Sequence, residues 1–149
     1  MKAKEKKERK ENFIEWVTFI PDRIIEFKKN LPKEISDSLD GSPESLEILE
    51  NYMIQSFSIE DIQNPQSRDA IDGFMTYTSD VFQKKLPNAK WSINLEDESN
   101  IYFALPVISN GIIVPLSLFG FLERIFYKKS GTILKDLFIL HLNYCNSKK

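Results

Sequence analysis

Leu39-Asp40-Gly41-Ser42-Pro43-Glu44-Ser45-Leu46-Glu47 spells out the start of a helix. Ser42 is the capping residue, whose side-chain oxygen can accept from the orphan amides of the first turn. Pro43 follows with its φ already set for the first helical position. Glu44 stands where the helix dipole favours a negative charge. Beyond it, Leu46, Leu49, Tyr52 and Met53 recur at helical spacing to about Gln55, with Ile48 on the flank.

The same period governs the chain on both sides. Upstream, Phe13, Trp16, Val17 and Ile20 fall at i, i+3, i+4 and i+7, and Pro21 ends or kinks that helix. Ile24, Ile25 and Phe27 form a second apolar set that runs out at Asn30-Leu31-Pro32, and 33–39 is a short element. Downstream, 56–67 is polar and holds Asn64-Pro65, which reads as a loop with one helical turn. A third helix is expected from Arg68 to Lys85, striped by Ile71, Phe74, Met75, Thr78, Val81 and Phe82, with Gly73 marking a close helix contact. Leu86-Pro87-Asn88 stops it.

At Trp91 the period changes. Trp91-Ser92-Ile93-Asn94-Leu95 alternates strictly, as a half-buried strand does. Glu96–Asn100 is a polar turn, 101–108 reads as a second strand, and Asn110-Gly111 signals a hairpin that pairs Ile112-Ile113-Val114 back as a third. Helical spacing returns through Leu118, Phe119, Leu122, Ile125 and Phe126 and breaks at Ser130-Gly131. Residues 132–144 fit a helix through Leu134, Leu137, Phe138 and His141, while Phe138-Ile139-Leu140 also suits a strand. The expected fold is therefore α+β: N-terminal helices, a small antiparallel sheet of about three strands, and C-terminal helices. Residues 13–149 form one domain. Residues 1–12, a run of Lys, Glu and Arg, read as a frayed first turn or a disordered tail.

Composition narrows the function. The net charge is −2 and the pI near 5.5, and Glu5, Glu8 and Glu11 dilute the N-terminal basic run, so no nucleic-acid partner is expected. One cysteine makes no internal disulfide. No leader is expected, because no uninterrupted apolar run or cleavage site follows Lys10. No membrane span is expected either: Pro106, Asn110-Gly111, Pro115 and Gly120 divide the apolar region 101–127, and Glu123-Arg124 interrupt it. A cytoplasmic protein follows.

Few residues suggest chemistry. The five glycines include no phosphate loop or dinucleotide fingerprint, and Gly41-Ser42-Pro43 lacks the small residue a nucleophile elbow needs after the serine. His141 and Cys145 share a helical face, but two ligands do not close a zinc site, and no second His or Cys exists. No cofactor and no metal are expected. Asp40, Glu44, Asp80 and Glu123 are the carboxylates around which an alternative, a carboxylate-dependent hydrolase or metal-binding enzyme, would be built. Trp91 reads as a strand anchor, and Trp16 as a core or interface residue.

Three features together resemble a group of small bacterial proteins of unknown function, some found near toxin systems. These are Leu39-Asp40 with Ser42-Pro43-Glu44-Ser45-Leu46, the Ala70–Phe82 helix followed by Lys90-Trp91, and the strand bounded by Pro106 with Pro115 opening a helix. The likeness spans Leu39 to about Asp136. Thr78-Ser79-Asp80 replaces the Gly-Glu pair of that pattern, and no catalytic residue comes with it.

The resulting expectation is a non-enzymatic domain that binds another protein, in bacterial immunity or regulation. An acidic, aromatic-rich chain suits a more basic partner. Glu96, Asp97 and Glu98, with the polar loop Ser56–Arg68, are expected at the contact surface, where charge reversal should slow association. A second alternative is a homodimeric structural subunit with an apolar patch around Trp16 and Phe19.

Overall fold

The cap at Ser42 forms as expected, and a distant tyrosine secures it. The protein, described over residues 1–148 by a computed structural model, places helix α4 at Pro43–Ser56. Ser42 Oγ accepts the Ser45 amide at 3.2 Å. Ser45 Oγ donates to the Ser42 carbonyl at 2.6 Å. It also lies 2.7 Å from Tyr77 Oη. The single Ser45 hydroxyl proton is already spent, so Tyr77 donates in that bond and accepts the Gly41 amide at 3.0 Å. Burial pushes the Tyr77 hydroxyl above its usual pKa, opposed by the bonds from Ser45 and Gly41. Tyr77→Phe leaves the Gly41 amide without its partner and should lower stability by about 1–2 kcal/mol. Urea denaturation reads this directly, and an unshifted midpoint would deny the anchor a stabilising role.

Tyr77 belongs to α5 (Arg68–Lys85), the helix on which the core is assembled. The expected apolar stripe is buried, but so are Gly73, Thr76, Tyr77 and Ser79. A helix enclosed on this many sides has no solvent face along its middle. Helix α2 (Ile20–Lys29) packs across it at Gly73, where an added Cβ would come within 2.6 Å of Phe27 Cγ. Gly73 is thus the close contact read from the sequence. Phe74 meets Phe126 edge to face at 6.2 Å, and Phe82 meets Phe138 at 5.3 Å. Those partners lie on α6 (Leu122–Lys128) and α7 (Ile133–Ser147). The 132–144 segment is therefore helical, and its strand alternative is not adopted.

The N-terminal charged run is helical too. Helix α1 spans Ala3–Thr18 and buries none of its residues fully. It is held to the body by an edge-to-face contact of Trp16 with Trp91 at 5.0 Å and by a Lys6–Glu96 ion pair. Pro21 opens α2 rather than kinking a continuous helix, and α3 (Lys33–Ser38) leads into the capped turn.

The sheet is smaller than expected. Only β1 (Lys90–Ile93) and β2 (Pro106–Ser109) pair among the described residues, antiparallel, with Trp91 opposite Ile108. The anticipated third strand, 112–114, is absent; one bridge, Ile108 to Leu116, stands in its place. The reason is local. Asn110 Oδ1 accepts the amides of Ile112 and Ile113, and Pro115 has no amide to give, so the ladder lacks donors. The second strand is likewise shortened, because Asn100 Oδ1 captures the Tyr102 amide and Ala104 takes a left-handed φ of 62°. No helix among the described residues is long and apolar enough to cross a membrane.

Candidate functional site

Two helical stripes face each other across a groove of about 550 Å³. Helix α2 contributes Arg23, Glu26 and Phe27, and its C-cap Asn30 completes the i, i+3, i+4, i+7 spacing. Helix α5 contributes Asp69, Asp72, Gly73 and Thr76 with the same spacing. Tyr52 and Met53 of α4 and the following Phe57 line it as well. Phe27, Met53, Gly73 and Thr76 are buried and make the floor. Glu26, Asn30, Gln66, Asp69 and Asp72 are exposed and make the rim. Gly73 brings the two helices together at the base, and the longer side chains above it hold the mouth open.

The rim is electrically one-sided. Three carboxylates, Glu26, Asp69 and Asp72, face one guanidinium, Arg23. That guanidinium is already engaged: Arg23 Nη1 donates to the Trp16 carbonyl at 2.9 Å, and Cζ sits 4.8 Å from the Trp16 ring centroid. Its Nη2 is buried without a hydrogen-bond partner. Burial draws the Arg23 pKa below its ordinary value, with Asp72 opposing, and the group stays charged. Glu26 makes only a loose contact with Lys29 at 3.8 Å, and Asp69 and Asp72 enter no ion pair among the described residues. Although Asp72 reaches the surface, the protein around it withholds enough water to push its carboxyl above 3.8. Arg68 and Arg23 oppose that rise, and the neighbouring charge of Asp69 adds to it.

The carboxylates singled out from the sequence lie elsewhere. Asp40 accepts the Ser42 amide at 3.0 Å, a bond that together with the Ser42 hydroxyl holds its carboxyl below the usual range. Asp80 pairs with Lys84 at 3.0 Å along α5. Both act through their charge on the buried Tyr77 hydroxyl, so these two share a neighbourhood. Glu44 is exposed on the first turn of α4, and Glu123 borders a shallow hollow with Ile59 and Tyr127 near the start of α6. No group of three or more His, Cys, Asp or Glu among the described residues could hold a metal.

Of the acidic turn, Glu96 pairs with Lys6, Glu98 meets the Met1 amino group at 2.9 Å, and Asp97 accepts from Ser99. Glu96 and Glu98 thus have partners within the chain, and all three side chains stay exposed. From the polar loop Ser56–Arg68, Phe57 and Gln66 reach the groove. His141 Nδ1 lies 2.9 Å from the Leu137 carbonyl, while Cys145 is buried with Sγ 3.2 Å from Asn110 Nδ2, so each has its own partner. Around the first helix, Trp16 is half-buried against Trp91, whereas Ile14 and Phe19 are exposed.

The groove itself was legible in part. The polar residues Arg23, Glu26 and Asn30 share a stripe with Phe27, a pattern that places polar groups on a packed face. No protein-family model matches the chain, and neither does a curated protein or a solved structure.

Proposed function

We propose that this chain is a non-enzymatic binding module for another protein, with the groove between α2 and α5 as its contact site. The observation that carries this reading is the combination of a buried apolar floor with an exposed, charge-imbalanced rim. A partner side chain can be dehydrated on the floor while its polar groups are met at the edge. The groove is built chiefly on helices α2, α4 and α5, so most of its shape is set before a partner arrives, which lowers the ordering cost of binding. The sequence resemblance suggests bacterial immunity or regulation, carried out in the cytoplasm, as the version of this role to test first.

The test uses the full chain as bait in a native lysate, beside the charge-reversed variant Asp69→Lys/Asp72→Lys. A single partner recovered in near-stoichiometric amount by the wild type and lost by the variant is expected. Reconstitution with purified partner should then show affinity reduced at least tenfold, about 1.4 kcal/mol. A partner held equally well by both would remove the groove from the contact. Recovery of no partner would remove the reading.

A further inference from the structure

We propose that the groove takes a cationic side chain, a lysine or arginine carried on a basic segment of the partner protein. The inference rests on the binding-module reading and names what the site selects. Phe27, Tyr52 and Phe57 offer an apolar bed for the methylene stem, and Asp69 and Asp72 stand at the rim above it. A long cationic side chain has this same division, an apolar stem with a charged head kept at the water's edge.

Charge complementarity decides the sign of the occupant. The groove carries three carboxylates and one guanidinium. The guanidinium is folded back onto Trp16 and is not presented to a ligand. An anionic segment would therefore meet Asp69 and Asp72 at the rim, where the one further cation, Arg68, already acts on Asp72 from outside the groove. An uncharged apolar segment would fill the floor and leave the rim charges uncompensated. A cation satisfies both parts at once, because neither aspartate has an ion-pair partner among the described residues to give up.

Three probes separate these cases: the N-acetyl methylamides of lysine, norleucine and glutamate, titrated into the isotopically labelled full chain and followed by amide NMR shifts. The lysine and norleucine derivatives share the stem and differ in the charged head. The lysine derivative is expected to shift the amides of Asn30, Asp69 and Gly73 and to bind about tenfold tighter than norleucine at low salt. That preference should shrink as salt is raised and vanish in Asp69→Asn/Asp72→Asn, two rim positions whose replacement leaves the core untouched. Equal affinity for lysine and norleucine, or a preference for glutamate, overturns the cation assignment. The inference and the reading beneath it fail separately, since the binding-module reading falls only when the full chain captures no stoichiometric partner.

Discussion

Glu50→Ala is expected to destabilise the protein by about 3 kcal/mol, because one fully buried carboxylate caps a helix that has no cap of its own. Thr132, at the start of α7, contributes no side-chain bond. Glu50, on α4, reaches across instead: its two oxygens accept the amides of Ile133 at 3.1 Å and Leu134 at 2.8 Å. The junction is reinforced by Asn51 donating to the Gly131 carbonyl at 3.2 Å and by a Lys135–Glu47 contact at 3.5 Å. Removing the carboxylate orphans two donors where water cannot replace it. The expected result is a large fall in the urea midpoint; a fall as small as that of a surface substitution would mean α7 is capped by other means.

The same residue sets a pH dependence whose sign is opposite to that of an exposed salt-bridged acid. Burial raises the Glu50 pKa above its ordinary 4.5, the two backbone bonds opposing and the charges of Asp136 and Glu47 adding. The folded state therefore binds its proton more tightly than the unfolded chain does. The part of the stability that comes from this tighter proton binding is fully present below pH 4.5 and is lost as pH rises through the raised folded value, while the two cap bonds to α7 stay in place. Stability measured from pH 4.5 upward should decline more steeply in the wild type than in Glu50→Gln, which does not titrate. Parallel profiles would show that Glu50 adds nothing to the slope.

Phe82→Ala is expected to cost about 4 kcal/mol, the range for deleting a large aromatic from a packed core. Phe82 is fully buried on α5, and its ring meets Phe138 of α7 edge to face with 89° between planes. The variant loses both the transferred area and the aromatic pair, and it leaves a void that the surrounding helices cannot close. Against a typical total of about 5–15 kcal/mol, such a loss brings a small domain close to unfolding at ordinary temperature. Calorimetry should show a sharply lowered melting temperature. A change of only a degree or two would mean that α5 and α7 do not share one core.

Local chemistry wrote most of the helices into the chain. Ser42-Pro43-Glu44 announced α4, the stripe from Ile71 to Phe82 announced α5, and Leu86-Pro87 ended it. Caps, prolines and helical periodicity act over a few residues, so they can be read without knowing what lies nearby. The sheet was harder, because Asn100 and Asn110 compete with strand pairing through their own side chains. Asn110-Gly111 does mark a turn, but the amides that a third strand would need are consumed by it.

Long-range pairing decided the rest. Nothing near Glu50 in sequence tells that its carboxylate will cap a helix more than eighty residues away, or that Tyr77 will hold the Gly41 turn. The acidic turn at Glu96–Glu98 reads as a run of like charges, and only the fold shows that Glu96 pairs with Lys6 of α1 and Glu98 with the Met1 amino group. The groove arose in the same way. Each helix carried its half as an ordinary mixed stripe, and only their close approach at Gly73 set Asp69 and Asp72 above a floor of Phe27 and Met53. The sequence alone therefore determined where α4 and α5 begin and end, since those signals are local. Which charges find a counter-charge within the chain and which do not depends on neighbours brought together by packing, and the tertiary structure decided that.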